Sequence, residues 1–183
     1  MRIVILAGSN RKEATSTKLG EYAAHIIRQK GDEAILFDLY KRPLPFYSPD
    51  EAALEHEHLS GLMHEMLAAD AIVLVTPEYH GSISGVLKNA LDHLGQAHFN
   101  GKVVLAASSA GGAVGVSSLL QLQAIVRNLH GVNAPDWISI GGLQRRRFEA
   151  GYDGYEGGQD IEDRIHLVVE SFLNLARKLS RAI

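Results

Sequence analysis

The chain contains no cysteine, which excludes disulfides, thiolate metal sites and cysteine nucleophiles, and is compatible with a reducing compartment. It also lacks a surplus of charge. With a net charge of −3 over 183 residues, neither nucleic acid nor an anionic membrane is an expected partner. No run reaches the ~18 apolar residues of a membrane-spanning helix. Met1-Arg2 leads directly into an apolar segment, so no signal peptide is expected and a cytoplasmic location is. Proline is scarce and uneven. Three of the five, Pro43, Pro45 and Pro49, fall in the stretch 39–50, a long connection expected to be functional or to meet a second subunit. Two glycine-based phosphate motifs are missing as well: G-x-G-x-x-G would need glycines where Asn10 and Glu13 stand, and G-x-x-x-x-G-K-[ST] would need a second Gly and a Lys before Ser16. What remains is an ordinary globular composition, 46% hydrophobic and 21% charged, suited to one α/β domain over 1–183.

The chain is organised around residues 71–92, AIVLVTPEYHGSISGVLKNALD. Ala71 to Val75 is an unbroken apolar run, the pattern of a strand covered on both faces. From Ile83, apolar residues at Val86, Leu87, Ala90, Leu91 and Leu94 recur at the helical period. Between run and helix, Thr76 to Ser82 holds a stiffening Pro77, the ionisable Glu78 and His80, the aromatic Tyr79 and a glycine. In an open α/β sheet such a loop lies at the carboxyl end of a strand, where ligands bind.

Ile3–Ala7, Glu33–Asp38, Lys102–Ser108 and Asp136–Ile140 read as further strands. The helices expected are one opening after Thr17 on Leu19, Tyr22, Ala23, Ile26 and Ile27; 54–69 with Leu59, Leu62, Met63, Met66 and Leu67 inward; 116–130; and 160–181. Alternating strands and helices imply a parallel sheet with right-handed crossovers. The 116–130 helix is apolar over more than half its circumference, through Leu119, Leu120, Leu122, Ile125, Val126 and Leu129, so it is either deeply buried or partly at an interface. His56 and His58, two apart, are expected on different faces of the 54–69 helix, which argues against a shared metal ion.

Two loops besides 76–82 could carry chemistry. Residues 8–17 follow the first strand and lead into a helix N-terminus, a natural anion site. Ser9, Thr15, Ser16 and Thr17 offer hydroxyls, and Arg11 can form a bidentate pair with a phosphate. The same residues fit a plain surface loop with Thr15 or Ser16 as helix cap. Residues 109–115 place Ser109, Gly111, Gly112 and Gly115 after the fourth strand, where bare backbone can approach a flat ligand or form a flexible loop. Within 77–80, Tyr79 also fits a core position, Glu78 a helix cap and His80 a turn. Arg145-Arg146-Arg147, in the polar, glycine-rich stretch 141–158, is the one basic cluster.

The segment PEYHGSISGVLKNALD at 77–92 resembles the signature of the NADPH-dependent FMN reductase family, with the weaker likeness of 8–19 beside it. Members commonly have Asn where this chain has His80, and the His resembles the azobenzene reductase branch. The resemblance implies a flavodoxin-like α/β three-layer sandwich with a five-stranded parallel sheet of order 2-1-3-4-5, whose switch point lies between strands one and three. It implies FMN held by Ser9, Arg11, Thr15, Ser16 and Thr17 at the phosphate, Pro77, Glu78, Tyr79 and His80 along the ring, and Ser109, Gly111 and Gly112 at the pyrimidine edge. It further implies NADPH or NADH as hydride donor, whose 2′-phosphate either Arg11 or the Arg145 to Arg147 cluster could meet, azo compounds, quinones, chromate or free flavin as small-molecule acceptors, no catalytic nucleophile, and a homodimer or homotetramer. Other readings are a reductase supplying reduced flavin to a partner monooxygenase, a flavodoxin-type electron carrier, and an NAD-binding domain with Asp38 on a ribose.

Overall fold

A computed structural model describes residues 1–50, 56–149 and 158–180. Strands β1 (Arg2–Ala7), β2 (Glu33–Asp38), β3 (Ala71–Pro77) and β4 (Val103–Ser109) join two short strands, β5 (Val132–Asn133) and β6 (Ile138–Ile140). The sheet is parallel, in the order β2-β1-β3-β4-β5, with β6 also paired to β4. This is the flavodoxin-like order, with one refinement. The fifth position is shared by two segments, β5 against the start of β4 and β6 against its end. Pro135 stands between them and has no N–H to continue a ladder, so Asp136 and Trp137, expected in the fifth strand, lie outside it.

The apolar runs are unbroken because both faces of the sheet are covered. Side chains alternate between two cores: Ile3, Ile5, Val73, Val75 and Leu105 lie in one, and Val4, Leu6, Ile72, Leu74 and Val104 in the other. Helices α1 (Thr15–Gln29) and α6 (Gly158–Ser180) close the first core, through Leu19, Ile26, Ile165 and Phe172. Helices α2 (Glu57–Ala68), α3 (Gly85–Asp92), α4 (Gln96–Phe99) and α5 (Ser117–Asn128) close the second, through Leu62, Leu87, Phe99 and Leu122. Each such fully buried aliphatic or aromatic side chain contributes about 1.5–3 kcal/mol.

Several expectations are corrected. Helix α2 begins at Glu57 among the described residues; residues 54 and 55 lie outside them. Leu67, expected inward, is exposed because its helix buries only Leu59, Leu62 and Met66. His56 is the N-cap of α2, outside the helical repeat, so its ring meets that of His58 at 5.5 Å instead of lying on another face. No group of three or more potential metal ligands occurs among the described residues. Leu120 is exposed on α5, so of the two expectations for that helix the deeply buried one does not hold. Part of the stretch expected to be irregular, Gly142–Phe148, is a 3-10 helix with Phe148 buried against Tyr22. Among the described residues, no helix is long and apolar enough to cross a membrane.

Candidate functional site

The parallel sheet brings the loops after β1, β3 and β4 to one edge. They enclose a cleft of about 220 Å³ lined by Arg11, Ala14, Thr15, Ser16, Pro77, Glu78, Tyr79, Ser109, Gly111 and Arg145. Two hollows of similar or larger volume hold no comparable set of donors. One, by Trp137 and Leu167, is an open surface groove. In the other, at the opposite edge, Lys102 caps the end of α2 through the carbonyls of Met66 and Leu67 at 2.6 and 3.0 Å.

The β1 and β3 loops are sewn together by Gly8. Its N–H donates to the Val75 carbonyl at 2.7 Å, and its own carbonyl accepts from Ser84 Oγ at 2.5 Å. A Cβ there would sit 2.6 Å from Leu87 Cβ, so only glycine allows α3 this close. Beyond it, Ser9 is fully buried and its Oγ accepts the Arg11 N–H at 3.1 Å, which shapes the loop. The chain then enters α1 at Ala14, and no side chain caps the helix. Neither Thr15 nor Ser16 is the cap. The first-turn N–H groups lack intrahelical acceptors by construction, and the hydroxyls of Ser16 and Thr17 are buried with no partner among the described residues. Arg11 is exposed at the mouth. Buried donors without acceptors, at a helix N-terminus beside a guanidinium, match a phosphate group.

The turn after β3 is held from behind. Tyr79 and Ser82 exchange both backbone hydrogen bonds at 3.0 Å, and the residues between them have φ of 51° (His80) and 72° (Gly81). A two-residue turn with both central residues left-handed favours Asn-Gly, and His is among the side chains that tolerate that region. The sequence signal at position 80 is therefore a backbone requirement as well as a chemical one. His80 itself is exposed, outside the cleft lining. Glu78 turns away from solvent and accepts the Ser118 N–H at 2.9 Å and its hydroxyl at 2.8 Å. It is thus a cap, for a helix forty residues further on. Gln121 completes the latch, accepting from Ser82 Oγ at 2.8 Å and donating to the Gly81 carbonyl at 3.1 Å.

The β4 loop is equally fixed. Gly142 N–H donates to the Gly112 carbonyl at 2.7 Å, and a Cβ on Gly141 would lie 2.4 Å from the carbonyls of Gly112 and Ala113. Of the residues singled out in the sequence, Arg11, Thr15, Ser16, Pro77, Glu78, Tyr79, Ser109 and Gly111 line the cleft together. Ser9 and Thr17 lie just behind it, and His80 and Gly112 beside it. Ser84, Ser118 and Gln121 were not anticipated, and Arg145 was expected only as one of three basic residues in a cluster. Ser84 had a legible signal, a serine three residues before Leu87, whose N–H it caps at 3.1 Å. Asp38, the candidate ribose ligand, is buried and accepts the Tyr40 N–H at 3.0 Å, which spends it on the turn after β2.

The model of the family described as NADPH-dependent FMN reductase matches residues 1–144. An FMN-dependent NADPH-azoreductase of Staphylococcus aureus is 33% identical over 181 residues, covering 95% of this chain and 96% of that protein. Among solved structures, the flavoenzyme NAD(P)H:(acceptor) oxidoreductase FerB of Paracoccus denitrificans superposes with a TM-score of 0.76 at 21% identity, covering 97% of both chains. The apo form of an NADH:FMN oxidoreductase superposes with a TM-score of 0.74 at 22% identity, covering 93% of this chain and 87% of that one. At these identities the structural likenesses speak for the fold alone.

Proposed function

Since the chain belongs to the NADPH-dependent FMN reductase family, we propose that it is an FMN-dependent NAD(P)H oxidoreductase acting on azo compounds and related small acceptors such as quinones. The observation that carries this reading is the uncapped start of α1, where Ser16 in the cleft lining and Thr17 just behind it have buried hydroxyls with no partner among the described residues.

In this reading Ser16, Thr17 and the free N–H groups of α1 hold the terminal phosphate, with Arg11 adding a charge-assisted fork. Pro77, Tyr79, Ser109 and Gly111 support the flat ring system from β3 and β4. Glu78 positions that wall by anchoring α5, and His80 sustains the left-handed turn at its rim. The chemistry such a group supplies is two-electron transfer from a reduced nicotinamide to an acceptor. A cleft of about 220 Å³ is below the size that encloses a drug-sized ligand, which suits a bound ring that would share one face with its substrates. No fixed acid or nucleophile is required, which suits acceptors of different shapes.

The whole of 1–183 is read as one domain, because α6, beyond the matched residues, shares a core with α1. Cytoplasmic location and a homodimer or homotetramer belong to the same reading. Phe46 is 92% exposed on a segment pinned to α3 through Asn89 and His93, which suits contact with a second copy.

The test is the colour and redox response of the purified full chain. FMN should bind stoichiometrically, NADPH should bleach it without air, and an azo dye should restore the oxidised spectrum. A chain that takes up no FMN refutes the reading. One that binds FMN but is not bleached by either nicotinamide is an electron carrier instead.

A further inference from the structure

Three consecutive arginines follow β6, and the 3-10 helix that carries them sends them three ways. At three residues per turn, successive side chains diverge by about 120°. Arg147 pairs with Glu162 on α6, and Arg146 is exposed. Arg145 lines the cleft, with its side chain only 26% exposed and its Nε buried without a partner among the described residues. Its nearest carboxylate among the described residues, Glu149, is 3.7 Å from Nη2 and 43% exposed, a screened contact. What reads in the sequence as one basic patch is a single guanidinium aimed at the site, flanked by two that are not.

Arg145 is held in place from both ends. Gly141 and Gly142 are pressed against Gly112 and Ala113, and Phe148 is buried against Tyr22. Its Nη1 lies 3.8 Å from where a Cβ on Gly111 would be, so it belongs to the β4 side of the cleft. The phosphate seat is on the β1 side, two strand spacings away, roughly 10 Å. A guanidinium at Gly111 would therefore meet the ring system of a flavin seated in this cleft and not its phosphate.

Resting on the FMN reading above, we infer that Arg145 meets the polar edge of the flavin ring and selectively stabilises its reduced form. The balance of the step explains why a cation matters there. When the nicotinamide gives up a hydride, it becomes a cation, and the ring system gains one hydrogen nucleus and two electrons. The ring is left with one negative charge, lodged on its N1 and C2-carbonyl edge unless a further proton arrives. Arg145 presents a fork of N–H donors and no acceptor. It stabilises that charge without supplying a proton, so it makes the ring easier to reduce and sets the driving force passed on to acceptors.

The experiment compares wild type, Arg145→Gln, Arg145→Lys and Arg146→Gln, each titrated with FMN and with riboflavin, followed by the midpoint potential of the bound flavin. Arg145→Gln should weaken binding of the reduced form about tenfold more than the oxidised form, the size expected for a charge-assisted contact. For a two-electron couple that is a potential lower by ~30 mV. The shift should be the same with riboflavin, Arg145→Lys should recover most of it, and Arg146→Gln should show none. An unchanged potential in Arg145→Gln with flavin bound overturns the inference. So does a loss confined to FMN, which would make Arg145 a phosphate ligand, or slower reduction by NADPH but not NADH at unchanged potential, which would place it on the 2′-phosphate. If wild type binds neither flavin, the FMN reading itself has failed.

Discussion

Three helices begin at the same edge of the sheet, and two of them are capped. Helix α3 starts at Ser84, whose hydroxyl accepts the Leu87 N–H. Helix α5 has no local cap, but Glu78 reaches it from the β3 turn and accepts from Ser118 twice. Helix α1 has neither, and two of its first-turn hydroxyls are buried with no partner among the described residues. A structural role accounts for the first two arrangements, since each satisfies donors that folding would otherwise strand. It does not account for the third. The difference separates the residues that build the cleft from those left for a ligand.

The contrast is broken most severely at Glu78. Glu78→Ala strands the Ser118 N–H and its fully buried hydroxyl and frees the β3 turn from α5. A loss of about 1.5–3 kcal/mol is expected, the range for bonds to a charged acceptor. Urea unfolding of the flavin-free protein measures it, and an unchanged midpoint would show that the latch is not structural.

A milder effect sharpens what an orphaned polar atom means. His98, on α4 and away from the cleft, accepts the Gly95 N–H at Nδ1, while Nε2 is buried with no partner among the described residues. Burial holds the imidazole below its usual pKa, with Lys102 adding to the effect. The unfolded chain therefore binds the proton more readily, and this contribution is present above about pH 6.5 and lost as pH falls through the lower folded value. His98→Gln should flatten the decline in melting temperature between about pH 7 and 5. A decline as steep as wild type would assign the acid sensitivity elsewhere.

The smallest effect is expected at His80. Its left-handed backbone suits Asn as well as His, so His80→Asn should keep turnover within a few-fold and leave the pH profile in place. A drop of ~100-fold or more in acceptor reduction, with FMN still bound, would mark the imidazole as a general acid.

How much of this was legible in the chain depended on distance along it. The runs Ile3–Ala7 and Ala71–Val75 announced buried strands because both of their faces are covered. The loops at 8–17, 76–82 and 109–115 announced the cleft because parallel strands end at a common edge. The split fifth strand was hidden because Val132–Asn133 is two residues long and carries no pattern. Helix α4 has only four residues, too few for a period. The latch between Glu78 and Ser118 spans forty positions, and no local rule links them. Arg145 was visible as a charge but not as a direction, because only the 3-10 geometry separates it from Arg146 and Arg147.

The central claim is that the start of α1 is kept free for a phosphate. It is tested most directly by titrating FMN and riboflavin into the flavin-free forms of wild type, Ser16→Ala and Thr17→Ala. The hydroxyls make no bond to the described residues, so the stability of the flavin-free variants should equal or slightly exceed that of wild type. FMN affinity should fall about tenfold for each, as one charge-assisted hydrogen bond of roughly 1.5 kcal/mol is lost, while riboflavin, which has no phosphate, should bind as before. Flavin-free variants destabilised by about 1 kcal/mol, with FMN affinity intact, would contradict the account and return Ser16 and Thr17 to the structure of the helix.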